Sequence, residues 1–306
     1  MLHVPLMSHR IIRLAVFALV TAANTLTIAQ PARRIDGARL VADVEALAAP
    51  GMEGRRTGTP GSHRAQAFIL NRFRELGLTA VGPRYEHKFS FTERRARRGI
   101  TPAGPPAVKY PDATNLVAMV RGTARPDDFL LLTAHYDHLG VHNGALHPGA
   151  DDNASGVAAL LQAAAFVAAH PLRHTVVFVA FDGEEQGLQG AKHFVAKPPI
   201  DLKRIHLMIN LDMVSRGDAG SIVASGTAFH PELKELVTRA AAGRTLKVVF
   251  GHDRPAKEAA GVADWTQQSD QGPFHDAGVR TLYYGVEDHA DYHKPTDTAD
   301  RIPRAF

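Results

Sequence analysis

The chain has 306 residues, 45% of them hydrophobic, enough to bury a sizeable core in one large α/β domain. Its 35 Lys and Arg against 31 Asp and Glu leave a formal charge of +4, with the basic excess gathered near the amino terminus and in "TERRARRGI", Thr92 to Ile100. No stacking aromatics are interleaved with that run, so it reads as a solvated loop in preference to a nucleic-acid surface. There is no cysteine, which excludes disulfides and thiolate metal sites and leaves any bound metal to His, Asp or Glu.

Residues 1–29 read as a secretory signal peptide. His9, Arg10 and Arg13 supply positive charge, "LAVFALVTAA" is the apolar stretch, and small residues surround Ala29. The alternative is an uncleaved anchor, but the apolar stretch is shorter than the ~20 residues a spanning helix needs. The expectation is cleavage, no stable membrane insertion afterwards, and a secreted or periplasmic protein. Met7 also precedes a complete leader of this kind.

Helical spacing of apolar residues follows from Ala38 to Leu47 and from Ser62 to Leu76, separated by the loop "GRRTGTPGS". Arg84 to Pro111 reads as an irregular insertion. "NLVAMVRG" and "FLLLTAHYD" read as consecutive strands, "SGVAALLQAAAFVAAH" as a helix, "TVVFVAFDGEE" as a strand and "GLQGAKHFVA" as a helix. "IHLMINLDMV", "SIVASG", the helix "HPELKELVTRAAAG", "LKVVFG" and "RTLYYGV" continue the alternation. Strands that are apolar throughout, alternating with helices, predict an α/β fold: a mostly parallel, mixed central sheet with helices on both faces. Ligands of such sheets bind beyond the carboxyl ends of the strands, which is where "HYDH", "DGEE" and "LDM" fall.

Each of these segments has an ordinary reading beside a chemical one. His135 and Asp137, two apart on an extended segment, share a side; that suits a metal-binding histidine held by a carboxylate, and equally a surface His–Asp contact. "PGADDNASG", Pro148 to Gly156, places two acids where a loop enters a helix, as a ligand or as a cap. The adjacent Glu184 and Glu185 repel each other unless exposed or neutralised by a cation. Asp212 is flanked by an apolar strand, so an ionised carboxylate there needs a partner. His293, in "DYHKPTDT", is one of 17 histidines. As a set, Asp152, Glu185 and Asp212, with Glu184 beside them, bring about four negative charges to one pocket. Two divalent cations balance that charge, with Asp152 shared and one histidine for each, and oxygen and imidazole donors favour zinc.

These segments, in this order, resemble the M28 family of zinc metallopeptidases, from "EGRRTGTPGS" to "DYHKPTDTADRI". The resemblance implies a zinc-peptidase (phosphorylase/hydrolase-like) architecture and two zinc ions per chain. His135 and Asp212 would hold one, Glu185 and His293 the other, with Asp152 between them. It further implies that Asp137 orients His135, that Glu184 is the general base, that Tyr292 steadies the oxyanion, and that the Asp152–Asn153 peptide is cis. "SDQGPFHDAG" matches a pocket segment, which makes Asp270 and Phe274 candidate substrate-binding residues.

Residues 30–306 are expected to form a single peptidase domain. Arg84 to Pro111 is too short for the protease-associated insertion of many relatives, and the further helix expected after "DRIPRAF" is lacking. The activity the resemblance implies is removal of the amino-terminal residue from peptides. The alternatives on the same scaffold are a glutaminyl cyclase, which uses one zinc, and a catalytically inactive binding module; both are disfavoured because every ligand and both glutamates are present.

Overall fold

A computed structural model describes residues 35–93, 107–217, 220–254 and 262–303. The expected signal peptide, most of the basic run and the end of "DRIPRAF" lie outside them. Two helices come first. In α1, Gly37–Leu47, the Asp36 side chain accepts the N–H of Arg39, and in α2, Pro60–Glu75, the Thr59 hydroxyl accepts that of Ser62 with proline at the first turn; both cap donors that a helix start leaves unpaired.

Strands β1 (Thr79–Ala80), β2 (Glu86–Glu93), β3 (Val108–Val120) and β4 (Arg125–His135) follow, then the hairpin of β5 (Gly140–His142) and β6 (Ala145–His147). Helix α3 (Gly156–Ala169) leads to β7 (His174–Phe181), α4 (Gln189–Ala196) and β8 (Ile205–Leu211). The last elements are β9 (Ser221–Ser225), α5 (Pro231–Ala241), β10 (Lys247–Phe250), α6 (Gln271–Asp276) and β11 (Thr281–Gly285). The main sheet runs β1-β3-β7-β4-β8-β11-β9-β10, with β2 paired to β3.

The strands β7, β4, β8 and β11 are mutually parallel, while β3 and β9 join this group antiparallel. The sheet is therefore mixed, with a parallel centre. Strand β7 shows why: seven of its eight residues are buried, as expected of a strand covered on both faces. Val176, Phe178 and Ala180 face a core shared with Leu47, Ile69, Phe73, Leu160 and Leu161, and Val177, Val179 and Phe181 face one shared with Phe194, Met208 and Phe274. Each fully buried side chain of this size contributes roughly 1.5–3 kcal/mol.

The sequence left the strand order open, and one expectation changes. Strand β7 lies between β3 and β4, which are consecutive in sequence but not neighbours. Within Arg84 to Pro111 the described residues are largely paired as strand: β2 runs antiparallel to β3, with Glu86 opposite Leu116 and Glu93 opposite Val108. In "EHKFSFTE" Phe89 and Phe91 alternate with polar residues, which is strand periodicity, but polar residues at all six other positions make it resemble a loop. Among the described residues, no helix is long and apolar enough to cross a membrane.

Candidate metal centre

The parallel strands β7, β4 and β8 end at one edge, and the register aligns His135 with Phe181 and Thr133 with Asn210. Chain geometry thus delivers His135 from the end of β4, Glu184 and Glu185 from just past β7, and Asp212 from just past β8. Asp152 enters from the kinked turn Ala150–Ser155 before α3, which contains a cis Asp152–Asn153 peptide. His293 comes from the loop after β11.

The two oxygens of Asp152 face different partners. Oδ1 lies 3.4 Å from His135 Nε2, which is itself 3.2 Å from Asp212 Oδ1. Oδ2 lies 3.1 Å from His293 Nε2, which is 3.5 Å from Glu185 Oε2. Donor atoms in tetrahedral zinc sites with bonds of about 2.0–2.2 Å stand at roughly such spacings. All five residues expected as ligands are brought together.

One residue outside that expectation joins them. His138 is fully buried, with Nδ1 2.6 Å from Glu185 Oε1 and 3.7 Å from Asp152 Oδ2. Gly149, at φ +59°, makes room for it; a Cβ there would sit 2.5 Å from the His138 ring. His138, Asp152 and Glu185 form a second three-residue donor set beside that of His135, Asp152 and Asp212. The signal in the sequence was the second histidine of "HYDH", three residues beyond His135 and masked by strand alternation, which places it on the opposite side until the strand ends.

The surrounding network fixes the turn and the glutamates. Asp137 meets His135 through its backbone carbonyl, 3.1 Å from Nδ1, while its carboxylate, at 3.8 Å, accepts the N–H groups of Glu184 and Glu185. Asp297 accepts the N–H groups of Asp151 and Asp152. Asn153 donates to the carbonyl of Leu211 and accepts from Gly156 and Met213, and Asp151 accepts the N–H and hydroxyl of Ser215. The turn is thereby fastened to the end of β8.

Beneath it lies Arg55, fully buried, donating to the carbonyls of Leu47, Tyr136, Pro148 and Gly149 at 2.6–2.8 Å. Burial lowers its pKa to about 10 against the pull of Asp152, Asp297 and other carboxylates. It links the His135 and Asp152 loops, a role hidden in "GRRTGTPGS".

The electrostatics call for positive charge. Burial acts to raise the Asp152 pKa, yet the imidazoles of His138, His135 and His293 outweigh it and hold the carboxyl well below the usual range. Burial likewise acts to lower His135, but the carboxylates of Asp212 and Glu184 push it well above the ordinary imidazole value. Burial pushes Glu184 well up, reinforced by Glu185, Asp212 and Asp270 against the opposing pull of His135. Both ring nitrogens of His138 and Oε1 of Glu185 are buried without a hydrogen-bond partner; the 2.6 Å approach lacks hydrogen-bond alignment. Buried polar atoms left unpaired are costly. These orphaned donor atoms, and a donor set of imidazoles and carboxylates, fit divalent zinc.

The centre opens into a cleft of about 420 Å³ whose wall includes Glu184, Leu188, Lys192, Met213, Gln268 and Tyr292. Tyr292 stacks on His293, ring centroids 3.9 Å apart. Asp270 is fully buried off this wall, with neither carboxylate oxygen hydrogen-bonded and its pKa raised by burial to about 7. Phe274 is not on the wall either; it packs against Phe181 and Phe194 in the core.

Comparison with known proteins identifies the family and the fold. The profile described as "Peptidase family M28" matches residues 115–306. The chain is 27% identical over 268 residues to aminopeptidase YwaD of Bacillus subtilis, covering 83% of this chain and 50% of that protein. It is 34% identical over 157 residues to a probable zinc metalloprotease of Leptosphaeria maculans, covering 48% and 36%. The chain thus spans half or less of the length of these relatives. Among solved structures, the zinc aminopeptidase BSAP of Bacillus subtilis superposes with a TM-score of 0.69 at 16% identity, covering 89% of this chain and 92% of that one. A glutaminyl cyclase of Porphyromonas gingivalis superposes with a TM-score of 0.66 at 20% identity, covering 89% and 93%. These structures share the fold, and on the match of the family profile the chain belongs to peptidase family M28.

Proposed function

We propose that this chain is a di-zinc aminopeptidase that hydrolyses the first peptide bond of peptides with a free amino terminus. The observation that carries the reading is the division of Asp152, one oxygen toward His135 and Asp212 and the other toward His293 and Glu185. In this reading His135, Asp152 and Asp212 hold one zinc and Asp152, Glu185 and His293 the other, with His138 beside Glu185. Zinc ions bound there would act as Lewis acids toward the scissile carbonyl and make water more acidic.

Glu184, on the cleft wall and outside both donor sets, takes the proton of the attacking water and returns it to the leaving amine, a contribution of ~10²–10⁴ in rate. Asp137 sets its height by gripping its backbone. Tyr292, stacked on His293 at the mouth, presents its hydroxyl to the developing oxyanion. Asp270, buried close enough to His135 and Asp212 to interact with them electrostatically, adds negative charge behind the wall and serves substrate binding indirectly; Phe274 supports the wall from the core.

The fold alone does not separate peptidase from cyclase, since both are among its structural neighbours. The test is zinc-dependent release of p-nitroaniline from aminoacyl-p-nitroanilides, with amino-blocked substrates and an amino-terminal glutaminyl peptide beside them. Free substrates should be cleaved and blocked ones spared; equal cleavage of both, or cyclisation of the glutaminyl peptide with one zinc per chain, would overturn the proposal. In the same reading residues 1–29 are a cleaved leader, 30–306 the peptidase domain, and the enzyme acts outside the cytoplasm; amino-terminal sequencing of the exported protein tests this.

A further inference from the structure

At the opposite edge of the sheet, the starting ends of β4, β7 and β8 carry Asp128, His174 and His206, one on each of three neighbouring strands. We propose that these three residues form a separate binding site for a divalent transition-metal ion of the zinc class, distinct from the candidate metal centre.

The backbone aims them together. Between β4 and β7 the register jumps from Arg125–His174 to Phe129–Thr175, and between β4 and β8 it jumps from Phe129–Ile205 to Leu130–Leu207. Asp128 and His206 are therefore bulge residues, and a bulge re-aims a side chain that regular pleating would hold elsewhere. As a result one donor atom from each of Asp128, His174 and His206 lies within 4.8 Å of the others. His206 Nε2 is 3.4 Å from Asp128 Oδ1, and the two imidazole rings stand edge to face with centroids 5.4 Å apart.

Two imidazoles and one carboxylate on one side of an ion are a recurring donor set for borderline divalent metals, with further positions left to water. All three residues are partly exposed, so an ion has access from solvent and only small side-chain rotations close the set. Asp128 and His135 are seven residues apart on one strand, which at ~3.3 Å per residue puts the two sites about 23 Å apart. The ion would tie together the beginnings of three strands whose ends carry the catalytic groups. One feature competes: Arg204 Nη2 lies 3.4 Å from Asp128 Oδ1, on a half-exposed side chain that can swing away.

That competition sharpens the test. Zinc-loaded wild-type protein is titrated with further Zn²⁺ by calorimetry and equilibrium dialysis, alongside His174→Gln, His206→Gln and Arg204→Ala. Wild type should take up one additional ion per chain. Each histidine variant should bind it at least about tenfold more weakly, the lower end of what losing even an outer hydrogen-bond partner costs a metal site; Arg204→Ala should bind it more tightly. Peptidase activity of the histidine variants should match wild type, and their melting curves in chelator should coincide with it, which separates loss of the site from misfolding. No additional uptake, or equal uptake by wild type and both histidine variants, would overturn the proposal and leave the function proposed for the other edge untouched.

Discussion

The carboxylate of Asp137 accepts the backbone N–H groups of both Glu184, at 3.1 Å, and Glu185, at 3.4 Å, so one buried acid beside His135 sets the position of the proposed base and of a proposed ligand together. Asp137→Asn presents an N–H where an acceptor is needed. Activity or zinc affinity should fall 10- to 100-fold, as for other partners that orient metal ligands. Kinetics and zinc titration of the variant check this; wild-type values in both would refute the role.

Glu184 and Asp152 should fail in different ways. Glu184→Gln removes a proton carrier and no donor atom, so zinc content should persist while kcat drops by ~10²–10⁴. Asp152→Asn loses the carboxylate shared by both donor sets, and bound zinc should fall in proportion to activity. Metal analysis beside steady-state rates decides, and Asp152→Asn with full zinc and full activity would contradict its shared position.

His138 faces Glu185 Oε1 while His293 faces Oε2. His138→Gln should weaken the zinc proposed for Asp152, Glu185 and His293 by about 10- to 100-fold if the ring holds Glu185 in place, while His293→Ala, which removes a donor, should abolish that ion. Cobalt spectra of the two variants distinguish them: the coordination bands persist in the first and change in the second.

Arg55→Met leaves the buried carbonyls of Leu47, Tyr136, Pro148 and Gly149 without their donor. Each unpaired buried group costs ~1–3 kcal/mol, so the loss in urea unfolding should be at least about 3 kcal/mol. Arg55→Lys should recover little, because an ammonium does not reproduce the planar fork that meets four acceptors.

Chelation should lower the melting temperature as well as activity. Ions that bind only the folded chain stabilise it by mass action, about 4.1 kcal/mol at a thousandfold excess over Kd, and their removal leaves Asp152, Glu184, Glu185 and Asp212 facing one another. Readdition of zinc should restore both; a melting curve indifferent to chelator and zinc would count against a bound metal.

Apolar runs and helix caps are local properties, so the sequence by itself determined the alternation of strands and helices, the α/β class, and which segments place acids and imidazoles at strand ends. It also supplied a family resemblance strong enough to group His135, Asp152, Glu185, Asp212 and His293. Strand order is a different matter: β7 inserts between β3 and β4 in the sheet interior, where burial on both faces, not adjacency in the chain, suits its apolar run. Likewise Arg55 and the trio Asp128, His174 and His206 have no local signature, and His138 has only the second histidine of "HYDH", which strand alternation turns away from His135. Their roles arise where separate segments meet, through a buried fork beneath two loops, a ring admitted by Gly149, and bulges that turn three strands' side chains toward one point. Only packing at long range brings such groups within hydrogen-bonding or ligand distance, and that distance is what gives them their chemistry.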